Sequence, residues 1–243
     1  MDLGGVFGIF RKTSSRLLLG AIMPTKEQIQ AQTLYANILA EVNFRVAAIN
    51  HCTTNSSGLA PPFVKDFCYL QIRMLCELTA LGCLVAHGDI KQTKASALQK
   101  AWSADKIMAT LEELHPHFFP LAIKQTKTEK GFHLEAIDPK PLTKDELLDL
   151  YHRCGEQLHR GNLRKLLKGQ FPTQIDYPEI TGKAQKIINL LSNHLIVMHT
   201  GEQLFLAMLQ NKDDNLKPQV AIAETPKGQR VDFASPAFLK EAL

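Results

Sequence analysis

The sequence predicts a mainly α (α+β) protein: a bundle of about five helices with an inserted β-hairpin and a small C-terminal antiparallel β-meander. Three observations predict it. Apolar residues recur at three- and four-residue steps through most of 25–193, the spacing of one helical face. Aromatics are only 7% of a chain that is 45% hydrophobic, so Leu, Ile, Val and Ala must fill the core, which favours packed helices over a β-sandwich. After Asn193 the pattern shortens to brief apolar runs divided by polar turns. The 243 residues suffice for one large domain or a domain with an appendage.

Each element follows in order. In residues 1–24 the apolar Val6-Phe7-Gly8-Ile9-Phe10 precedes Arg11, Lys12 and Arg16, a poor layout for a secretory signal. The segment reads as a flexible leader or as sequence upstream of a true start at Met23. The second reading is preferred, because Met23-Pro24-Thr25-Lys26-Glu27 opens a well-formed helix. Tyr35, Ile38, Val42, Val46 and Ile49 make the stripe of that first helix, which should stop near His51. Pro61 and Pro62 suit the start of a second helix to about His87, the most apolar in the chain. It is expected in the core and not in a membrane, since Gln71, Arg73 and Glu77 interrupt it. Arg73 and Glu77, four apart, are expected to form a structural ion pair.

A third helix is expected from about Thr93 to His115, through Leu98, Trp102, Ile107 and Leu111. Within 117–142, Phe118 to Ile123 and Phe132 to Ile137 form the hairpin with Gly131 in its turn. Thr143 caps a fourth helix, about Lys144 to Gly161, with Glu146 completing a capping box. A fifth runs from roughly Glu179 to Asn193, ending the helical domain at 25–193. Residues 194–243 hold the meander and a tail, with strands at His194 to His199, Leu204 to Leu209 and Val220 to Ala223.

The charge balance excludes more than it suggests. Lys plus Arg exceeds Asp plus Glu by 28 to 24, too small a surplus to announce a nucleic-acid or membrane binder. Five cysteines without a C-x-x-C pair argue for reduced, packed thiols and a reducing cytoplasm. Cys154, among polar neighbours, is the one candidate nucleophile. Thr181-Gly182-Lys183-Ala184 lacks the rest of a P-loop, and no G-x-S-x-G, H-E-x-x-H or Rossmann pattern occurs, so no cofactor is expected. His115-Pro116-His117 lacks neighbouring ligands in the sequence and reads as a surface turn.

One cluster could carry chemistry. On the fourth helix, Leu147, Tyr151, Cys154 and Leu158 fall on the core side, with Arg153, Glu156 and His159 on the opposite half and His152 beside them. Arg160, Arg164, Lys165 and Lys168 follow, with no acidic residue from Gln157 to Ile175, the strongest local charge bias in the chain. A phosphate-bearing ligand fits this bias. So does a solvated helix face with a basic end that suits the helix dipole.

Arg153-x5-His159 at the end of a helix resembles the Arg-x(4–6)-His motif of the HEPN superfamily, helical-bundle proteins that include many ribonucleases. Tyr69-Leu-Gln-Ile-Arg73-Met-Leu-Cys-Glu77 resembles the Arg/Glu-bearing first helix of some HEPN-like families, and Tyr151 to Gly161 their later Tyr and His-Gly segment. The position after the motif arginine, usually Asn, Asp or His, is Cys154 here. The resemblance implies metal-independent RNA cleavage, with His159 as general acid or base and Arg153 steadying phosphate charge. For degenerate members it implies RNA or nucleotide binding alone. It further implies a homodimer.

Two other classes compete. Glu41, Glu77, Glu112-x-x-His115 and Glu156-x-x-His159 superficially match a di-iron helical bundle, but Glu156 and His159 point away from the apolar face. A non-catalytic protein-interaction module would use the basic face or a strand edge without needing His159.

Overall fold

The computed structural model describes residues 20–21, 25–54, 57–88, 90, 93, 98, 100–128, 131–159, 175–199, 201, 203–211 and 217–224. Among them are helices α1 (Lys26–Thr53), α2 (Pro61–Ala86), α3 (Ala104–Leu114), α4 (Lys144–Leu158) and α5 (Tyr177–Leu191). The strands are β1 (Gly20–Ala21), β2 (Leu121–Thr128), β3 (Gly131–Ala136), β4 (Asn193–Val197), β5 (Gln203–Asn211) and β6 (Lys217–Glu224). The protein is mainly α with a β-meander.

The helix starts follow local chemistry. Thr25 and Thr143 each cap a helix through a capping box, with Gln28 and Glu146 reaching back to the cap backbone. Pro61 occupies the first turn of α2, where a missing N–H costs nothing. Asp176 accepts from the Glu179 N–H and starts α5 two residues before the predicted position. The third helix is shorter than expected. Ser103 is extended (φ −83°, ψ 131°), so α3 begins at Ala104 and Trp102 lies outside it, 67% exposed. The periodicity predicted one helix from Thr93, and the extended backbone at Ser103 separates α3 from the residues before it.

Helix α2 is the axis of the bundle and packs against α1, α3, α4 and α5. By length and composition it could cross a bilayer, but 67% of its apolar window is buried inside the bundle. Gly82 permits the α1 contact: a Cβ there would sit 3.0 Å from the Tyr35 ring.

Hairpin and meander form one antiparallel sheet, order β1-β6-β5-β4-β2-β3, not two separate additions. The junction is short, Leu121 opposite Leu195 and Ala122 opposite His194. Pairing alternation divides the faces. Ile196, Phe205, Ala207 and Ile222 face the helices and join the main core. Leu195, Val197 and Leu204 face the other way, where Ile123 and Leu134 of the hairpin close a second small core over them. Gly20 and Ala21 pair with Glu224 and Ala223, so these two residues of the segment read as a leader belong to the sheet edge. The other residues of 1–24 lie outside the described residues.

Candidate functional site: a polar seam opening into a cleft

Four side chains of α2 at four-residue spacing, Lys65, Tyr69, Arg73 and Glu77, form one stripe directed at α4 and α5. At its inner end the Arg73 guanidinium lies 3.9 Å from the centre of the Tyr151 ring. It donates to the Tyr151 hydroxyl at 2.5 Å and lies 3.4 Å from the buried Glu77 carboxylate. Gly155 makes this possible, since a Cβ there would be 2.8 Å from Arg73 Nη1. Burial raises the Tyr151 hydroxyl above its ordinary pKa, against the opposing pull of Arg73.

The outer end opens into a cleft of about 440 Å³ between α2, α4 and α5. Three cations from three helices line it: Lys65, Arg153 and Lys183. Lys183 donates to the Tyr69 hydroxyl at 3.0 Å and to Glu179 at 2.6 Å. Burial opposes its charge, but Glu179 and Tyr69 outweigh that and hold its pKa above the usual lysine value. Glu156, Asp176 and Glu179 bring acidic groups to the same walls. Sequence reasoning missed Lys65 and Lys183. The four-residue stripe from Lys65 was a usable signal; nothing local marked Lys183.

Arg153 faces solvent on the cleft wall and is paired with Asp149 at 2.7 Å. His159 is the C-cap of α4 with extended backbone (φ −86°, ψ 131°), not a residue of the helix, and is exposed. Arg160, Arg164, Lys165 and Lys168 lie outside the described residues. Cys154 is fully buried, and burial pushes its thiol up to about 12, which removes it as a nucleophile at neutral pH.

The carboxylates of the di-iron inventory are committed elsewhere: Glu41 to Arg45, Glu77 to Arg73, Glu112 to Lys144. Glu156 and His159 are exposed. A smaller hollow of about 280 Å³ beside Thr143 and His117 contains Lys144, which Glu112 and Asp145 already hold.

His115-Pro116-His117 does have neighbours, contrary to the sequence expectation. The His87 and His199 rings lie 5.2 and 5.7 Å from His115, brought there from α2 and the end of β4. His87 and His115 both direct Nε2 at the Val197 carbonyl, at 3.2 and 3.1 Å. Burial, then the nearby His87, lowers His115 to about 4. Among the described residues no three His, Cys, Asp or Glu side chains are grouped to hold a metal ion.

No protein-family model matches the chain, and no curated protein or solved structure is significantly similar to it.

Proposed function

We propose that the chain is a HEPN-like helical protein that binds single-stranded RNA through its phosphates at the α2–α4–α5 cleft. One observation carries the reading: Lys65, Arg153 and Lys183 reach the same open cleft from three helices. Its walls include Gln157 and Ile175, and the sequence between them supplies Arg160, Arg164, Lys165 and Lys168 with no acidic residue. Such a distribution suits a phosphate backbone.

Within this reading Arg153 binds phosphate, and His159 is assigned the proton transfer of metal-independent cleavage: the ribose 2′-oxygen bonds to the adjacent phosphorus as the bond to the 5′-oxygen of the next nucleotide breaks, with His159 taking the 2′-hydroxyl proton or protonating the departing oxygen. A second reading, a non-catalytic protein-interaction module, is favoured by Glu156, Asp176 and Glu179 on the same walls, which would match a peptide of mixed charge.

The test uses a labelled single-stranded RNA in buffer with a chelator. Arg153→Ala with Lys183→Ala should weaken binding by about tenfold or more, the scale of losing charge-assisted bonds. His159→Ala should keep binding and lose cleavage. Equal affinity in wild type and double variant defeats the binding reading. Cleavage that survives His159→Ala removes the role given to His159.

A further inference from the structure

One phenol gathers two of the three cleft cations. Tyr69 of α2 is only 5% exposed, yet it lines the cleft. The Lys183 ammonium, arriving from α5, lies 4.9 Å from the centre of the Tyr69 ring and donates to its hydroxyl at 3.0 Å. Lys65, one turn earlier on α2, has its ammonium 5.8 Å from the centre of the same ring. Both distances fall within the ~6 Å reach of cation–π attraction. Arg153 is kept differently. Its side chain is 65% exposed and pairs with Asp149, itself 58% exposed, an arrangement that fixes a side chain only weakly.

We propose that Tyr69 is a positioning residue for phosphate binding: its hydroxyl fixes Lys183 across the α2–α5 wall, on the same ring as Lys65, before the RNA strand arrives. A lysine is a point charge on a flexible four-carbon stem, so an unrestrained one loses entropy when it meets a ligand. Ordering it in advance removes part of that cost from binding. An ammonium has three donors; Tyr69 and Glu179 take two from Lys183, which leaves the third for a phosphate oxygen. The two holders differ in what they fix. Glu179 is one turn away on the same helix, whereas Tyr69 belongs to the opposite wall and so sets where Lys183 stands in the cleft. Glu179 supports the charge on Lys183 as well, so losing the phenol hydroxyl leaves the lysine ionised but less fixed. Tyr69 is too deeply buried to stack on a base and acts through the lysines. This inference rests on the RNA reading of the cleft.

A double-variant cycle on the full chain tests it, with labelled single-stranded RNA in chelator. Tyr69→Phe keeps the ring and removes only the hydroxyl. It should weaken binding by about fivefold, the scale of one net hydrogen bond. Made on top of Lys183→Ala, the same change should cost less than about twofold, because the side chain it positions is gone. Without RNA, the Lys183 amine followed by NMR should titrate at lower pH in Tyr69→Phe than in wild type, a change that a purely structural role for the hydroxyl would not produce. Wild-type affinity in Tyr69→Phe, when Lys183→Ala weakens binding, overturns the inference and leaves the cleft reading standing. A Tyr69→Phe penalty that persists in full without Lys183 overturns it too, as does an unmoved Lys183 titration. Wild-type affinity in Lys183→Ala takes Lys183 out of RNA binding, and the inference falls with it.

Discussion

Among the polar junctions that tie the described elements together, two are built on opposite terms. Between α1 and β4, the Tyr35 hydroxyl donates to His194 Nε2 at 2.6 Å while His194 Nδ1–H meets the Leu191 carbonyl at 3.0 Å. Both residues are sealed from water, and burial drives both toward the neutral form, with His194 lowered to about 4 and Tyr35 raised. Between α2 and α4, Arg73, Glu77 and Tyr151 bury a charged pair along a seam whose outer end is open. A neutral pair with every nitrogen satisfied is a way to join helix and sheet. A charged pair costs desolvation that an apolar contact would avoid, and here it runs beside the cleft that collects Lys65, Arg153 and Lys183. The difference separates a junction that only stabilises from one that also shapes a candidate binding site.

The largest effect should come from breaking the charged seam on one side. Arg73→Met leaves Glu77 buried without its cation, and denaturant unfolding should show a loss of about 3–5 kcal/mol. A loss under about 1 kcal/mol would mean the pair is effectively solvated.

Acid should strike the neutral junction next. The folded-state pKa of His194, about 4, lies below the ordinary 6.5, so its contribution is intact above pH 6.5 and falls as pH drops toward 4. At pH 4 the loss from His194 should be about 3 kcal/mol. His115, half-buried, acts in the same direction. A stability curve flat from pH 7 to 4 would contradict the neutral assignment. Tyr35→Phe is milder: it strands His194 Nε2 and should cost about 1–3 kcal/mol in the same unfolding assay. The smallest effect sharpens the contrast. Arg153→Ala removes an exposed ion pair and should change stability by no more than about 0.5 kcal/mol, so any change in RNA binding would be a direct one.

Much of this was legible locally. Thr143 with Glu146 announced α4, Pro61 announced α2, and the short apolar runs after Asn193 announced the meander. What failed was non-local or masked by a competing pattern. Leu98 and Trp102 continued a helical period into α3 that the extended Ser103 interrupts. The join between hairpin and meander rests on Leu121 and Ala122 meeting Leu195 and His194, which no spacing reveals. The meeting of His87, His115 and His199 and the arrival of Lys183 at Tyr69 are likewise tertiary. For the site, Arg73, Glu77 and Arg153 were visible in sequence, whereas the cleft that gives Arg153 a context was not.

The salt dependence of RNA binding tests the central claim most directly. Each phosphate neutralised on a single strand contributes a slope of about −0.7 in log affinity against log salt. If Lys65, Arg153 and Lys183 hold phosphates, replacing all three with alanine should flatten the slope by about 2. An unchanged slope, with the triple variant folded, would place RNA binding elsewhere on the protein or remove it altogether.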